Sequence, residues 1–330
     1  MKAAVFYGAG DIRVEDVETP RLETAGDVLI RVRASGICGS DLHPYRNAEP
    51  ATPGRIMGHE FSGDIAKIGS EVEGLKTGDR VVTVSFGANA EYIRISREAR
   101  PIIFPLPPEI SYSEAATIEP LANSIHIANL ASPTDDETVV IIGAGAIGLG
   151  VIQVLRTRCS ARIISIDYSD HRLAIARELG ADVVINAGRE DPYQKVLELT
   201  GETTVSFVED MPAGNVDIVC DCAGWFAVDT ATPPLQQALL MLKPNGKLVE
   251  HSIFEKPPEI NYFLLVRKGI KLLGSWGFVL EEFTQAIEMI RSGKVNRKPI
   301  ISHEFPLDRV KEAFETQLNY EESIKVLLKP

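Results

Sequence analysis

The side chains best suited to chemistry lie in two short stretches, Gly36-Ile37-Cys38-Gly39-Ser40-Asp41-Leu42-His43 and Gly58-His59-Glu60. Cys38 offers a thiolate and His59 an imidazole, the sulfur and nitrogen donors that zinc accepts. Ser40 and His43 follow Cys38 at offsets of two and five. A hydroxyl and a titratable ring beside a metal are what an alcohol needs in order to lose a proton. Asp41, between them, is placed to orient His59 from behind a metal. A cysteine and a histidine at this separation also occur together by coincidence, so the pair needs a context.

Part of that context lies downstream. Thr138 to Ile142 is a continuous β-branched run, suited to a buried parallel strand. It leads directly into Gly143-Ala144-Gly145-Ala146-Ile147-Gly148, a G-x-G-x-x-G that opens an apolar helix from Ile147 to Leu155. The glycines allow the tight turn, the approach of backbone to a pyrophosphate and close helix–strand packing. The helix amino terminus then presents free N–H groups to phosphate. A second strand, Arg162 to Ile166, ends at Asp167, nineteen residues past Gly148. A carboxylate there accepts hydrogen bonds from ribose hydroxyls and repels a 2′-phosphate, which favours NAD over NADP. Arg172 is placed either to flank the adenine or to serve as an ordinary solvated helix residue.

The ordered set Gly36, Cys38, Gly39, Asp41, His43, Gly58-His59-Glu60, Gly63, Gly69 and Gly78-Asp79-Arg80-Val81, with the fingerprint behind it, resembles the zinc-dependent alcohol dehydrogenases of the medium-chain dehydrogenase/reductase superfamily. Within them it is most similar to the polyol/sorbitol and threonine dehydrogenase branch, over essentially the whole chain. The resemblance implies an α/β protein: a Rossmann doubly wound parallel sheet plus a discontinuous groES-like β-barrel catalytic domain. It implies NAD(H), a catalytic zinc on Cys38 and His59, and a homodimer or homotetramer. That branch also carries a Glu-Pro-Leu whose glutamate faces the zinc, here Glu119-Pro120-Leu121, and its Glu60 equivalent reaches the metal as well. A catalytic zinc keeps three protein ligands and one open position, so Glu60 and Glu119 stand level as the third ligand.

Two departures from the family pattern matter. Many of these enzymes hold a structural zinc in a lobe of four clustered cysteines. Here no cysteine lies between Cys38 and Cys159, so four thiolates cannot gather there, and one zinc per chain is expected. The branch also carries an Arg-Tyr pair for substrate hydroxyls where Gly277-Phe278 stands, which counts against a sugar alcohol. Trp276, Phe278 and Phe86 either line a more apolar pocket or pack in the core.

The elements that must position these groups are legible in outline. The 330 residues suffice for two cores. Hydrophobic content of 45% and a net charge of −12 suit a globular enzyme and disfavour a nucleic-acid surface. No apolar run suits a membrane span. The four cysteines are too scattered for a disulfide framework, and no signal peptide is evident, so the cytoplasm is the expected address. Cys220 and Cys222 read as small buried hydrophobes.

Lys2 to Tyr7 and Ile12 to Val17 form a hairpin; Asp27 to Ala34, Gly58 to Gly69, Arg80 to Val84 and Glu91 to Ile95 are further strands. Ser111 to Leu130 reads as one helix, opened by a Ser111/Glu114 capping pair and broken or kinked at Pro120. His126 lies on its core or on a helix face. From Asp182 to Leu273 strands and helices alternate, with a helix over Phe226 to Leu242, a surface loop over Gly201 to Asn215 and a turn at Lys243-Pro244-Asn245-Gly246. Ala223, His251 and Ser252 follow strand ends and are placed near a nicotinamide, because ligands bind at the carboxyl ends of such strands. His251 serves either the ligand or packing. Helices Leu280 to Ser292 and Leu307 to Gln317 and a strand Ser323 to Leu328 close the chain. The expected domains are 1–122, catalytic; 123–273, NAD-binding; and 274–330, a return to the catalytic part. The predicted reaction is reversible NAD-linked oxidation of a secondary alcohol (polyol, cyclitol, amino alcohol or alicyclic alcohol) to a ketone. A zinc-free enone or quinone reductase would lack Cys38 and His59, and a structural cofactor-binding protein would not keep every chemical group.

Overall fold

The computed structural model describes residues 1–47, 52–205, 213–224 and 232–330. The chain divides into two compact units: Met1–Ala122 with Leu280–Pro330, and Asn123–Val279.

The first unit is built on the strand Val28–Gly36. Glu60–Ile68 and Tyr92–Ile95 both pair with it antiparallel, and Arg80–Val84 extends the sheet beyond Glu60–Ile68. On its other side lie Lys325–Lys329 and Ile301–Pro306, in a seven-stranded sheet. A three-stranded sheet holds Lys2–Gly8, Asp11–Asp16 and Arg55–Ile56. Val28, Ile30, Val32, Phe61, Ile65, Val81, Ile93 and Ile95 point inward to one apolar cluster. Alternating apolar residues drive this, since each strand buries one face. The register shifts between Val32 and Ala34, and there Gly63 lies so close that a Cβ on it would sit 2.1 Å from the Arg31 carbonyl oxygen. Only glycine permits that approach. Lys325–Lys329, at the far end of the chain, thus comes to lie beside Gly36.

The second unit carries six parallel strands. Counted in chain order within the unit they run 3-2-1-4-5-6: Val183–Asn186, Arg162–Asp167, Thr138–Ile142, Val216–Asp221, Leu242–Glu250 and Lys271–Gly274. This is the order of the doubly wound dinucleotide-binding fold. Val140, Ile142, Ile164, Ile166, Val219 and Leu248 fill its core, as the β-branched runs require of strands buried on both faces.

Three local readings change. The single helix expected over Ser111–Leu130 is two, Tyr112–Ala115 and Ile118–Ala131. The capping box of Ser111 and Glu114 is present. The break falls before Pro120, which sits in the first turn of the second helix. A proline costs little there, because the first N–H groups of a helix have no partner to lose. Lys243 to Gly246, expected as a turn ahead of a strand, falls within the strand Leu242–Glu250, where the register against Val216–Asp221 shifts and Asn245 takes φ 61°. The helix expected over Phe226 to Leu242 is seen as Pro234–Met241; its start, residues 226–231, lies outside the described residues, as does 206–212 of the expected Gly201–Asn215 loop. The helix Gly39–Asn47 and the strand Ile301–Pro306 went unread. The first contains Pro44 and opens on Gly39-Ser40, and the second has no clean alternation, so local pattern is weak in both.

Ser111→Ala removes the side chain that accepts the Glu114 N–H. It should cost about 1 kcal/mol, read as a lowered midpoint in urea titration of the full chain.

Candidate metal centre and cofactor cradle

Strand pairing assembles the candidate metal centre within the first unit. Val28–Gly36 ends just before Cys38, and Gly36 pairs with Glu60 at the start of the neighbouring strand. His59 precedes that strand, held by Gly58 at φ +85°. A Cβ on Gly58 would lie 2.3 Å from Asn89 Oδ1. The donor atoms of Cys38, His59 and Glu60 all lie within 4.8 Å of one another. His59 Nε2 and Glu60 Oε1 are 4.0 Å apart, near the separation of two ligands on one tetrahedral ion. His59 Nδ1 and Glu60 Oε1 are buried with no hydrogen-bond partner among the described residues. An orphaned carboxylate oxygen beside sulfur and imidazole is a costly arrangement that a cation would satisfy. The donor types therefore fit zinc. Glu119, in the first turn of Ile118–Ala131, is not in the three-residue cluster, although its charge reaches Lys325.

Electrostatics point the same way. Burial pushes the His59 imidazole down, but Cys38, Glu60 and Asp41 outweigh it and raise it to about 10. A site that holds a proton this firmly is a site that attracts positive charge. Asp41 is buried, and its Oδ2 accepts the Cys38 N–H at 3.0 Å; burial raises its carboxyl against the pull of His59. Its hydrogen bond thus goes to the Cys38 backbone, and it acts on His59 through charge. Ser40 and His43 lie on the helix Gly39–Asn47, half-buried. The Phe86 ring is exposed and packs 5.7 Å from the His59 ring. In the second unit Trp276 is 82% exposed, so it is not core packing.

Two residues that local pattern did not single out complete this centre. Lys325 is buried, donates to the Ile37 carbonyl at 2.9 Å and forms an ion pair with Glu60 Oε2. Burial lowers its pKa, but Glu60 and Cys38 outweigh this and raise it. Gly36 makes the room: a Cβ there would lie 2.5 Å from Glu60 Oε2 and 2.9 Å from Lys325 Cε. Arg297, 0% exposed, donates to Thr117 Oγ1 at 3.1 Å, and Glu60 acts on its charge. For Lys325 the available signal was a cation inside an apolar stretch, Ile324-Lys325-Val326; Arg297, between Asn296 and Lys298, carried none.

The candidate cofactor cradle lies within the second unit. Gly143 follows Thr138–Ile142 at φ +93°, and a Cβ on it would lie 2.6 Å from Ala223 Cα. A Cβ on Gly148 would lie 1.9 Å from the Gly143 carbonyl oxygen, so this contact admits only glycine. Gly145 caps the helix Ala146–Arg156, with Ile147 in its first turn, and the space beside its Cα is open. Tight packing at two glycines and open space at the third is the shape a pyrophosphate needs. Asp167 is buried at the end of its strand and accepts N–H groups from Ala144 at 2.7 Å and Ser169 at 2.9 Å. Each of its oxygens keeps a lone pair for a ribose hydroxyl. Arg172 reaches to 4.0 Å from Asp167.

At the ends of the fourth and fifth strands, Ala223 donates its N–H to Asp221 Oδ1 at 3.1 Å, and Ser252 Oγ donates to the same oxygen at 2.8 Å. His251 Nδ1 lies 3.1 Å from the Ser275 carbonyl, which can only accept, so that nitrogen carries a proton. Burial holds this imidazole below its ordinary value, hence neutral near pH 7. Ser275 thus fixes the ring through Nδ1.

Residues 24–105 match the model of the alcohol dehydrogenase GroES-like domain, and residues 146–292 that of the zinc-binding dehydrogenases. L-threonine 3-dehydrogenase of Bacillus velezensis is 30% identical, over 88% of this chain and 87% of its own. Sorbitol dehydrogenase of Bacillus subtilis is 29% identical, over 100% of this chain and 97% of its own. A solved alcohol dehydrogenase from E. coli CFT073, complexed with NADH, superposes with a TM-score of 0.83 at 25% identity, covering 100% of this chain and 99% of that one.

Lys325→Met would strand the Glu60 carboxylate without its buried cation. In metal-free protein this should cost roughly 3–5 kcal/mol, measured as a drop in melting temperature, with the fold intact by circular dichroism.

Proposed function

The chain belongs to the zinc-dependent alcohol dehydrogenases of the medium-chain dehydrogenase/reductase superfamily, and we propose that it catalyses the reversible oxidation of a secondary alcohol to a ketone with NAD as hydride acceptor. The observation that carries this is the convergence of Cys38, His59 and Glu60 on one point, in a chain that also carries a complete dinucleotide cradle. Cys38, His59 and one carboxylate, Glu60 or Glu119, would hold the zinc. When bound, zinc supplies Lewis-acid polarisation of the alcohol oxygen, and NAD supplies the hydride acceptor.

The chain's own residues supply the rest. Ser40, two residues from Cys38, takes the hydroxyl proton, and His43, three residues further along the same helix, passes it to solvent. Asp41 fixes the Cys38 backbone through the bond to its N–H. Lys325 lies in the field of Glu60 and Cys38, and Arg297 in that of Glu60, so both would offset negative charge gathered at the centre. Gly143, Gly145, Ala146, Ile147 and Gly148 cradle the pyrophosphate, and Asp167 takes the ribose hydroxyls, favouring NAD over NADP. Arg172, Ala223, His251 and Ser252 border the same cofactor. The substrate classes in view are polyols, cyclitols, amino alcohols and alicyclic alcohols, with Gly277-Phe278 and the exposed Trp276 favouring the less polar of these.

One zinc per chain accounts for the metal, because the four cysteines are free and Cys159, Cys220 and Cys222 lie in the other unit. A homodimer or homotetramer is supported by the edge strand Lys271–Gly274, whose Leu272 is exposed together with Phe263, Val266 and Trp276. No helix among the described residues is long and apolar enough to cross a membrane. The free cysteines suit the cytoplasm.

Cys38→Ser and His59→Ala should each reduce NADH formation from a panel of secondary alcohols by at least about 10³-fold, with zinc content near zero and circular dichroism unchanged. Full turnover by metal-free protein would overturn the reading. Glu60→Gln and Glu119→Gln separate the two carboxylates: loss of the third ligand should weaken zinc retention against a chelator by about 10–100-fold, and the other variant should keep it.

A further inference from the structure

Asp221 and Glu250 end two neighbouring parallel strands and stand directly opposite each other in register. Asp221 is fully buried and Glu250 partly so. One oxygen of each carboxyl is engaged. Asp221 Oδ1 accepts from Ala223 N–H at 3.1 Å and Ser252 O–H at 2.8 Å, and Glu250 Oε1 accepts from Ser252 N–H at 2.8 Å. Ser252 Oγ in turn accepts from Gly224 N–H at 3.1 Å. Both loops that leave these strands are therefore tied to one pair of carboxyl groups.

The second oxygens, Asp221 Oδ2 and Glu250 Oε2, are buried and find no donor among the described residues. The two side chains are within hydrogen-bonding reach of each other. No ion pair to either is found among the described residues. Two carboxylates cannot face each other in a dry site while both are ionised; one proton between them resolves the repulsion and supplies the missing donor. The surrounding titratable groups do not supply it otherwise. Burial keeps the thiols of Cys220 and Cys222 neutral. Lys247 acts on Cys220 and donates to the Ala131 carbonyl, and the His251 ring is bound to Ser275.

We propose that Asp221 and Glu250 hold one proton in common and act as positioning residues, a clasp that sets the Ala223–Gly224 and Ser252 loops for the dinucleotide and opens when that proton leaves. This rests on the reading that the second unit binds NAD. Burial, and for Glu250 also the charge of Asp221, raises both groups. A carboxyl raised on folding binds more protons folded than unfolded, so its contribution to stability falls as pH rises through and above the ordinary carboxylate range. The clasp is closed near neutrality and loosens on the alkaline side.

The test uses the zinc-loaded full chain and its Glu250→Gln variant, whose amide mimics the protonated carboxyl at every pH. Two readouts are followed from about pH 7 to about pH 10: NADH affinity by fluorescence, and amide protection factors at Ala223, Gly224 and Ser252. In the parent protein both should decline, with affinity falling about tenfold over the range, while Glu250→Gln stays level within about twofold. A parent protein flat in both readouts, or a variant that declines with it, overturns the clasp. If Glu250→Gln does not fold, Asp221→Asn carries the same shared hydrogen bond and the same expectation. Protection that declines as expected in a protein that binds NADH at no pH supports the clasp and defeats the NAD reading instead.

Discussion

A carboxyl group only 1% exposed, with a cysteine sulfur and an imidazole beside it, is costly to bury without positive charge close by. Glu60 meets that constraint through Lys325, and through the field of Arg297 beyond it. Much of the first unit follows from this requirement. The last strand of the chain has to lie against Val28–Gly36 to deliver Lys325, and Gly36 has to lack a side chain for lysine and glutamate to meet. If Glu60 rather than Glu119 holds the proposed zinc, the ion would supply further positive charge to the same carboxylate. Removing either cation would leave Glu60 with the other alone, which is why the centre belongs to the fold as much as to the chemistry.

The second unit solves a comparable problem differently. Its parallel strands carry buried apolar runs, and three of them end in a carboxyl group: Asp167, Asp221 and Glu250. Asp167 is satisfied by backbone N–H groups, so it stays available to a ribose. Asp221 and Glu250 have fewer donors than oxygens, and the proposed shared proton makes up the difference. One sheet edge thus presents carboxyl groups in two different electrostatic conditions, set by how many N–H groups each loop turns inward.

Several parts of this arrangement were readable from local pattern. The strand, glycine turn and helix around Gly143 lie within one short stretch, and at Gly143 and Gly148 a Cβ would clash with backbone. The capping box at Ser111 was readable for the same reason. Pro120 misled, because its effect depends on its position in the helix, and that position was decided by a break upstream. The helix Gly39–Asn47 was hidden by its own proline and glycine.

What the chain's order of residues determined unaided was the family, the strand-and-helix grammar and the donor types, because hydrophobic period, glycine placement and side-chain chemistry act over a few neighbours. Which charges meet was decided only in three dimensions. Lys325 reaches Glu60, and Asp221 faces Glu250, through strand order and register, and these depend on how the whole sheet packs. A lone lysine in an apolar strand announces that a partner must exist; only the folded chain can say which carboxylate it is.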